Sequence, residues 1–307
     1  MNGMATGGAD SKAPSIRFLI PYFGTWPFWM PYYLESCRRN PSISWLFFTD
    51  CGVPADSPPN VDFIETSFDK YCSLVSVRLK IKFCPKDPYK LCDIKPALGY
   101  VHQEYLNGFD FWAFGDIDVI YGSLRGYFTA QRLAEKDLLA THYRRVSGHL
   151  CIVRNNETMR RAFKLIPRWQ QRFEDTTHHA LDEGAFSRIF IRNKNWPEWL
   201  RRFAARFNKW NRLSEFEESH STFTQLADGS KVIPEQWFWR QGHLTNSVLG
   251  EQELPYMHFM VWKNNPQWKK ASVRSQLRHP DISGTAGWLI NSEGWRAIKD
   301  QAPRMES

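Results

Sequence analysis

Two carboxylates at the end of an apolar segment are the side chains of this sequence best placed for chemistry. Asp116 and Asp118 follow residues 109–115, which read FDFWAFG. In an extended strand alternate side chains point the same way, so both carboxylates can face one hard cation while Ile117 faces away. Such a pair can hold a divalent metal over a diphosphate. The alternative is a solvated turn that follows a buried strand.

A histidine and a lysine far downstream could complete this site. His258 and Lys263 belong to the segment YMHFMVWK. An imidazole extends a carboxylate metal shell and favours Mn²⁺ over Mg²⁺, and an ammonium group neutralises a departing diphosphate. The alternatives are a buried histidine bonded to the backbone and a solvated surface lysine. We predict a divalent metal, Mn²⁺ or Mg²⁺, at Asp116, Asp118 and His258.

Two further polar segments lie between these motifs. The adjacent acids Asp182 and Glu183 precede a helical stretch, where a carboxylate could act as general base, bind the transferred group, or only cap the helix. Residues 143–148 form a polar loop between two predicted strands. Short polar side chains there could bind sugar hydroxyls, unless the loop is an exposed hairpin tip. The candidates in and beside this loop are His142, Ser147, Gly148 and His149.

The first part of the chain has the pattern of a parallel βαβ unit. Residues 15–24 and 43–50 are apolar runs, and residues 29–39 between them have helical character. Parallel strands bind ligands at their carboxyl ends. Three side chains fall at that edge: Tyr22, Phe23 and Asp50.

The following segments extend this layer of strands and helices. Residues 93–104 predict a helix with Asp93 as its N-cap and Lys95 in its first turn, leading into the strand before Asp116. Other strands are predicted at 61–65, 137–142 and 149–154, and other helices at 71–83 and from Asn155 onward. The sequence therefore predicts an α/β fold with a mostly parallel central sheet flanked by helices.

Composition and length indicate the class of partner, the state of the cysteines and the domain organisation. The chain has 307 residues, 42% of them hydrophobic, and a net charge of +8, which favours anionic partners. Its six cysteines form no CxxC pair, so we expect neither disulfides nor a zinc site. We expect residues 1–14 to be a disordered leader, residues 15–270 to be one domain, and residues 271–307 to be peripheral.

A basic, tryptophan-rich stretch covers residues 195–213. Its apolar residues recur at helical spacing, and arginines and lysines fill the positions between them. Such a helix can lie in an anionic membrane interface, or it can pack on the core with a cationic outer face. No apolar run is long enough for a spanning helix.

Taken in order, the motifs resemble those of bacterial GT-A-fold glycosyltransferases of cell-surface polysaccharide assembly. The likeness covers residues 15–270. It consists of Asp93-x-Lys95-Pro96, Asp116-Ile117-Asp118, Ser147-Gly148-His149, Asp182-Glu183, and His258 with Lys263. It implies a Rossmann-type nucleotide-binding half, residues 15–118, an acceptor half, residues 119–270, and a helical C-terminal excursion.

The resemblance also implies a role for each motif. Asp116 and Asp118 would hold the metal against the diphosphate of a nucleotide sugar, with His258 as the third ligand. Asp182 or Glu183 would be the catalytic acid-base group; the short His258 to Lys263 spacing departs from retaining members, so both stereochemical outcomes stay open. The remaining donor-binding residues would be Tyr22, Phe23 and Asp50 at base and ribose, Lys95 and Lys263 at the phosphates, and Asp93 at Lys95 or the ribose.

The function predicted from the sequence is transfer of a sugar, a hexose, from a nucleotide donor, with UDP-sugars favoured, to a hydroxyl of a lipid-linked glycan. We expect a cytoplasmic protein peripheral to the inner face of the plasma membrane, with an anionic membrane surface as a further partner. A nucleotidyltransferase is the first alternative, although the sequence has no GxxxxGK[ST] loop. A basic membrane or nucleic-acid binding module is the second; no nucleic-acid motif is present, so we expect no nucleic-acid partner.

Overall fold

The computed structural model describes residues 13–192, 195–226, 228–263, 265–269 and 287–298. Residues 1–12 of the predicted leader and most of the predicted C-terminal segment lie outside the described residues. No helix in the described ranges is long and apolar enough to cross a membrane.

The strands of the described residues form two main sheets and two short ribbons. In chain order they are β1 (Ile16–Pro21), β2 (Ile43–Thr49), β3 (Val61–Glu65), β4 (Phe111–Gly115), β5 (Val119–Tyr121), β6 (Leu138–Ala140), β7 (Leu150–Arg154), β8 (Ser214–Phe216), β9 (Thr224–Gln225), β10 (Lys231–Val232), β11 (Gln236–Arg240), β12 (His243–Asn246), β13 (Tyr256–His258), β14 (Gly287–Asn291) and β15 (Gly294–Ile298).

The helices are mostly short. The α-helices are α1 (Met30–Arg38), α2 (Phe68–Leu79), α3 (Leu98–Val101), α4 (Leu124–Tyr127), α5 (Ala130–Glu135), α6 (Glu157–Arg160), α7 (Trp169–Glu174), α8 (Ser187–Phe190), α9 (Glu198–Ala205), α10 (Lys209–Arg212) and α11 (Pro266–Lys269). Three 3₁₀ helices and one π-helix join them: Pro88–Ala97, Gln103–Leu106, Ala162–Leu165 and the π-helix Asp182–Phe186.

The central sheet has seven strands in the order β3-β2-β1-β4-β7-β6-β8. Its first four strands are parallel, whereas β7 is antiparallel to both β4 and β6. Strands β1, β2 and β4 are apolar and buried on both faces, as expected for parallel strands covered by helices. The predicted α/β fold with a mostly parallel central sheet is confirmed.

The reversal at β7 places two chain segments at one edge of the sheet. Strand β4 ends at Gly115 there, and β7 begins at Leu150, with Gly115 paired to Leu150. The residues that follow β4 therefore lie beside those that precede β7.

A second sheet of four strands, β12-β11-β14-β15, forms after α10. It is rich in tryptophan, and Trp237, Trp239 and Trp288 are almost fully buried. Large aromatic side chains dominate the burial energy of such cores. The indole of Trp239 donates to the Tyr121 carbonyl at 2.8 Å, which joins this sheet to β5.

Strand β5 has a second partner that determines the geometry of the site. Strand β13 pairs with it antiparallel, and His258 lies opposite Val119. Because Val119 directly follows Asp118, this ribbon brings the distant histidine to the end of β4.

The predicted helix at 93–104 is wrong in its start. A 3₁₀ helix begins at Pro88, and the Asp87 carboxylate caps it by accepting from the Tyr89 amide at 2.9 Å. A cap followed by proline at the first position is a favourable entry. Asp93 consequently lies inside the turn, fully buried.

Candidate functional site

A cleft of about 560 Å³ opens at the carboxyl edge of β1 and β4. Its walls come from the end of β1 and the two residues after it, from the 3₁₀ helix Pro88–Ala97, from the turn between β4 and β5, from the residues before β7, and from the π-helix Asp182–Phe186. This is the edge at which parallel sheets bind ligands.

Two aspartates and a histidine converge in the cleft. Ligand atoms of Asp116, Asp118 and His258 all lie within 4.8 Å of one another. A divalent ion with oxygen and nitrogen ligands at about 2.0–2.4 Å spans a comparable distance. Carboxylate oxygens suit both Mg²⁺ and Mn²⁺, and the imidazole favours Mn²⁺ of the two, so the donor set fits the predicted divalent ion.

Each aspartate of this cluster is paired with a lysine. The Lys95 ammonium lies 2.5 Å from Asp116 Oδ1 and donates to the Gly148 carbonyl at 2.9 Å. The Lys263 ammonium lies 2.6 Å from Asp118 Oδ2. Two cations therefore stand beside the carboxylates of the cluster.

Opposing effects determine the charge on Asp118. Burial raises the pKa of this carboxyl, but the His258 hydrogen bond and the charges of His258 and Lys263 outweigh it and lower the pKa below its ordinary value. Burial likewise opposes the charge on Lys95, yet Asp116 and its other neighbours raise its pKa well above the usual range. The cleft thus keeps a carboxylate and an ammonium charged near neutral pH.

Neighbouring side chains fix the orientation of His258. Its Nδ1 lies 3.2 Å from Thr222 Oγ1, and its Nε2 lies 3.4 Å from Asp118 Oδ2. The ring stacks on His149 with centroids 4.3 Å apart. Burial, followed by His258, lowers the pKa of His149 well below its ordinary value, so His149 is neutral. An outer partner on one ring nitrogen is the usual way to aim the other at a metal.

Asp182 lies in the same cleft, close to Lys95. It is 3% exposed, and its Oδ2 is 3.9 Å from the Lys95 ammonium. Burial, only partly offset by Lys95, raises the pKa of this carboxyl to about 7. A carboxyl with that pKa can exchange a proton near neutral pH.

The backbone at position 148 must be glycine to leave room for Asp182. A Cβ on Gly148 would stand 2.4 Å from Asp182 Oδ2. The Gly148 amide also donates to Glu183 Oε1 at 3.1 Å, and Glu183 Oε2 pairs with Arg145 at 2.9 Å. Glu183 is therefore engaged, whereas Asp182 is the acid with the raised pKa.

The predicted nucleotide-contacting residues of the first two strands are placed differently. Tyr22 and Phe23 line the cleft, and Tyr22 stacks on Trp26 with ring centroids 5.2 Å apart. Asp50 does not line it; its carboxylate accepts from the Gly24 amide at 2.8 Å. Gly24 has φ +113°, a conformation that favours glycine.

The predicted sugar-binding loop is divided. Gly148 and His149 line the cleft, but His142 and Ser147 do not. His142 stacks on Tyr143 at 5.2 Å, and Ser147 is fully buried. Direct contact with a ligand in this cleft therefore fits only Gly148 and His149.

Sequence reasoning missed several side chains of the cleft. Tyr89 is 62% exposed and packs edge-on against His178, with centroids 4.6 Å apart. Trp29 donates its indole N–H to the Ile117 carbonyl at 2.9 Å, between the two metal-binding candidates. Neither residue belongs to a recognisable motif. The one weak indication in the sequence is that Tyr89 directly follows Pro88.

Asp93 does not contact the cleft, which corrects its predicted donor-binding role. It is fully buried, its Oδ2 accepts from Lys90 at 2.9 Å, and Lys90 is 1% exposed. Asp93 also accepts from the backbone amides of His179 and Leu181, each at 2.9 Å. The Lys90–Asp93 pair thereby positions residues 179–181, which directly precede Asp182.

Removing this buried pair should be costly. We expect Asp93→Asn to lower the unfolding free energy by about 3–5 kcal/mol, because Lys90 keeps a buried charge without its partner. Urea denaturation measures the loss. The exposed pair Arg161 and Glu157 is the matched control, and Glu157→Gln should cost under about 1 kcal/mol. Equal costs for the two variants would contradict the role assigned to Asp93.

Several solved structures resemble this fold distantly. The galactosyltransferase LgtC in complex with donor and acceptor sugar analogs is 12% identical, with a TM-score of 0.33 over 55% of this chain and 71% of that chain. The apo form of mouse xyloside xylosyltransferase 1 is 10% identical, with a TM-score of 0.33 over 68% and 86%. The apo glycosyltransferase GlyE of Streptococcus pneumoniae TIGR4 is 8% identical, with a TM-score of 0.34 over 60% and 44%.

No curated protein matches the chain in sequence. A family model does match, over residues 18–281, and this range includes every residue of the cleft. The chain belongs to DUF6625, a family of unknown function.

Proposed function

We propose that this protein is a metal-dependent glycosyltransferase of the GT-A type. It moves a sugar from a nucleoside diphosphate donor, a UDP-hexose, to a hydroxyl group. The observation that carries the proposal is the cluster of Asp116, Asp118 and His258 within 4.8 Å, at the ligand-binding edge of a parallel sheet. Other nucleotide-binding enzymes also bind ligands at such an edge. The proposal is supported by the combination of this cluster with two lysines and with a carboxyl group of raised pKa.

The cluster would hold the divalent ion, Mn²⁺ or Mg²⁺. When bound, that ion supplies Lewis-acid stabilisation of the negative charge on the diphosphate. Lys263 and Lys95 add positive charge at the same place, because each already lies against one of the aspartates. Tyr22 and Phe23, at the end of β1, would contact the nucleoside.

Asp182 is the residue we assign to proton transfer. Its carboxylate accepts the proton of the acceptor hydroxyl while the acceptor oxygen bonds to the anomeric carbon. The bond from that carbon to the phosphate oxygen breaks, and its electron pair leaves with the diphosphate. A base with a pKa of about 7 suits this step at neutral pH. Glu183 supports it by holding Gly148 and Arg145 in place.

The finer assignments follow from the resemblance of the motifs. We propose residues 15–270 as the catalytic unit, with residues 15–118 contacting the nucleotide and residues 119–270 the acceptor. The acceptor would be a lipid-linked glycan of a bacterial surface polysaccharide, glycosylated at the cytoplasmic face of the plasma membrane.

A nucleotide panel tests the reaction class. Isothermal calorimetry is carried out with UDP, GDP and UTP, each with Mn²⁺ or with a chelator. We expect a nucleoside diphosphate to bind when Mn²⁺ is present and not when the chelator removes it. Preferred binding of UTP would favour the nucleotidyltransferase instead. Absence of any metal-dependent nucleotide binding would refute the proposal.

A further inference from the structure

Helix α9 and its flanking residues carry four aromatic side chains on the outside of the protein. Trp196, Trp199, Phe203 and Phe207 are 43%, 71%, 56% and 79% exposed. No residue of α9 is buried. These rings form one surface, because Trp199, Phe203 and Phe207 are spaced four residues apart and the two phenylalanine rings lie 5.4 Å from each other. We call these four residues the aromatic face.

Helix α9 does not bury its apolar stripe as an ordinary surface helix does. A helix on a soluble core normally turns its apolar stripe inward. Here a groove of about 880 Å³ lies between α9 and the body of the protein. Arg201, Arg202 and Ala205 line that groove together with Trp196 and Phe207, the two ends of the aromatic face, whereas Trp199 and Phe203 do not. Trp199 and Phe203 therefore lie outside the groove, and all four rings remain at least 43% exposed.

Positive charge lies beside the aromatic face, on α9 and along the adjacent groove. Glu198 is the one acid of α9, and it is paired with Arg202 at 2.5 Å. Among the residues that the structure describes, Arg201, Arg206 and Arg212 make no ion pair. Further cations line the groove: Lys136, Arg144, Arg192 and Lys209.

We propose that the aromatic face docks on an anionic lipid bilayer. Exposed tryptophan and phenylalanine beside arginine and lysine match the interface between acyl chains and negatively charged head groups. A second copy of this chain fits less well, because it would bring like charges together around the apolar contact. Single-stranded nucleic acid would leave most of the protruding apolar surface unpaired.

The docking surface is connected to the cleft by a short loop. Tyr143 and Arg144 line the groove, and Gly148 and His149, a few residues later, line the cleft. A membrane-held acceptor would thus be presented near the reacting groups. That use of the surface rests on the proposed function, whereas bilayer binding itself does not.

Vesicle co-sedimentation without nucleotide or metal tests the docking surface. The full chain should bind vesicles of phosphatidylcholine containing phosphatidylserine, and bind less as salt rises. The triple variant W199S/F203S/F207S and the charge variant R201Q/R206Q/R212Q should each lower partitioning by about tenfold or more. The matched controls V53S/V77S/L165S and K80Q/K82Q/K86Q, which alter other exposed apolar and basic residues, should leave it unchanged.

Several outcomes would overturn this inference. They are no binding to anionic vesicles, equal binding to pure phosphatidylcholine, or wild-type binding by both variants. A dimer in analytical ultracentrifugation that W199S/F203S/F207S dissociates would assign the surface to a second copy. Thermal melts verify that the variants fold; if the aromatic variant does not, the charge variant decides. Metal-dependent nucleotide binding is measured separately, so failure of either proposal leaves the other standing.

Discussion

Asp118→Asn is expected to abolish metal-dependent binding of a nucleoside diphosphate. The substitution removes the charged ligand that faces His258 and Lys263, while the side chain keeps its size. We expect affinity to fall on the order of 100-fold or more, since loss of even an outer partner of a metal site costs roughly 10- to 100-fold. Calorimetric titration with UDP and Mn²⁺ measures the change.

Asp69→Asn is the matched control for Asp118→Asn. Asp69 is an exposed acid in the first turn of α2, outside the cleft. It should bind UDP and Mn²⁺ as the wild type does. An affinity of Asp118→Asn for UDP and Mn²⁺ within threefold of the wild-type affinity would refute the proposed metal site. Binding that is weak but identical with and without the ion in the wild type would do the same.

Asp182→Asn is expected to slow turnover while leaving donor binding nearly intact. A positioned general base contributes about 10²- to 10⁴-fold, so kcat should fall within that range. Release of UDP from a UDP-hexose, with water as acceptor, provides the assay. Glu183→Gln should cost less, because Glu183 is held by Gly148 and Arg145. Similar losses in both variants would contradict the assignment of the base to Asp182.

The pH dependence of Asp182 gives an independent measurement. Its carboxyl pKa of about 7 means that the basic form accumulates as pH rises, so the wild-type rate should increase up to about pH 7. Folding raises this pKa, so the protonated form contributes stability that is complete below about pH 4 and lost as pH rises through about 7. Urea denaturation of Asp182→Asn should show a smaller fall in stability between pH 5 and pH 8 than the wild type. Parallel curves would contradict the raised pKa.

The central sheet could be predicted because its strands are apolar runs with clear ends. The second sheet was missed although β11 carried a usable signal: its buried Trp237 and Trp239 alternate with Gln236, Phe238 and Arg240. That period of two identifies a strand with one buried face.

The basic stretch at 195–213 was predicted as one helix, but it is two. The Asn208 side chain accepts from the Trp210 amide at 3.1 Å and starts α10 after a break. Asparagine is a favoured N-cap, so the break was visible in the sequence. The spacing of the apolar residues alone predicts one continuous helix, because it takes no account of an N-cap residue.

The types of the site residues were easier to predict than their positions. Asp116 and Asp118 follow directly from one strand, but the approach of His258 depends on a three-residue strand, β13, too short to recognise by periodicity. Asp93 was misassigned because its motif neighbours suggested a ligand contact. Asp93 instead forms an ion pair with Lys90, three residues earlier. Both charged groups of this pair are buried in the interior.

The β5–β13 ribbon makes the site one of the last parts of the protein that can form. Asp118 and Lys263 are 145 residues apart in the chain, yet their side chains meet. Contacts so distant in sequence close late in folding, after local strands and helices have formed. A growing polypeptide therefore presents its paired acids long before the histidine and lysine emerge. The proposed nucleotide binding therefore requires a chain that extends past position 258.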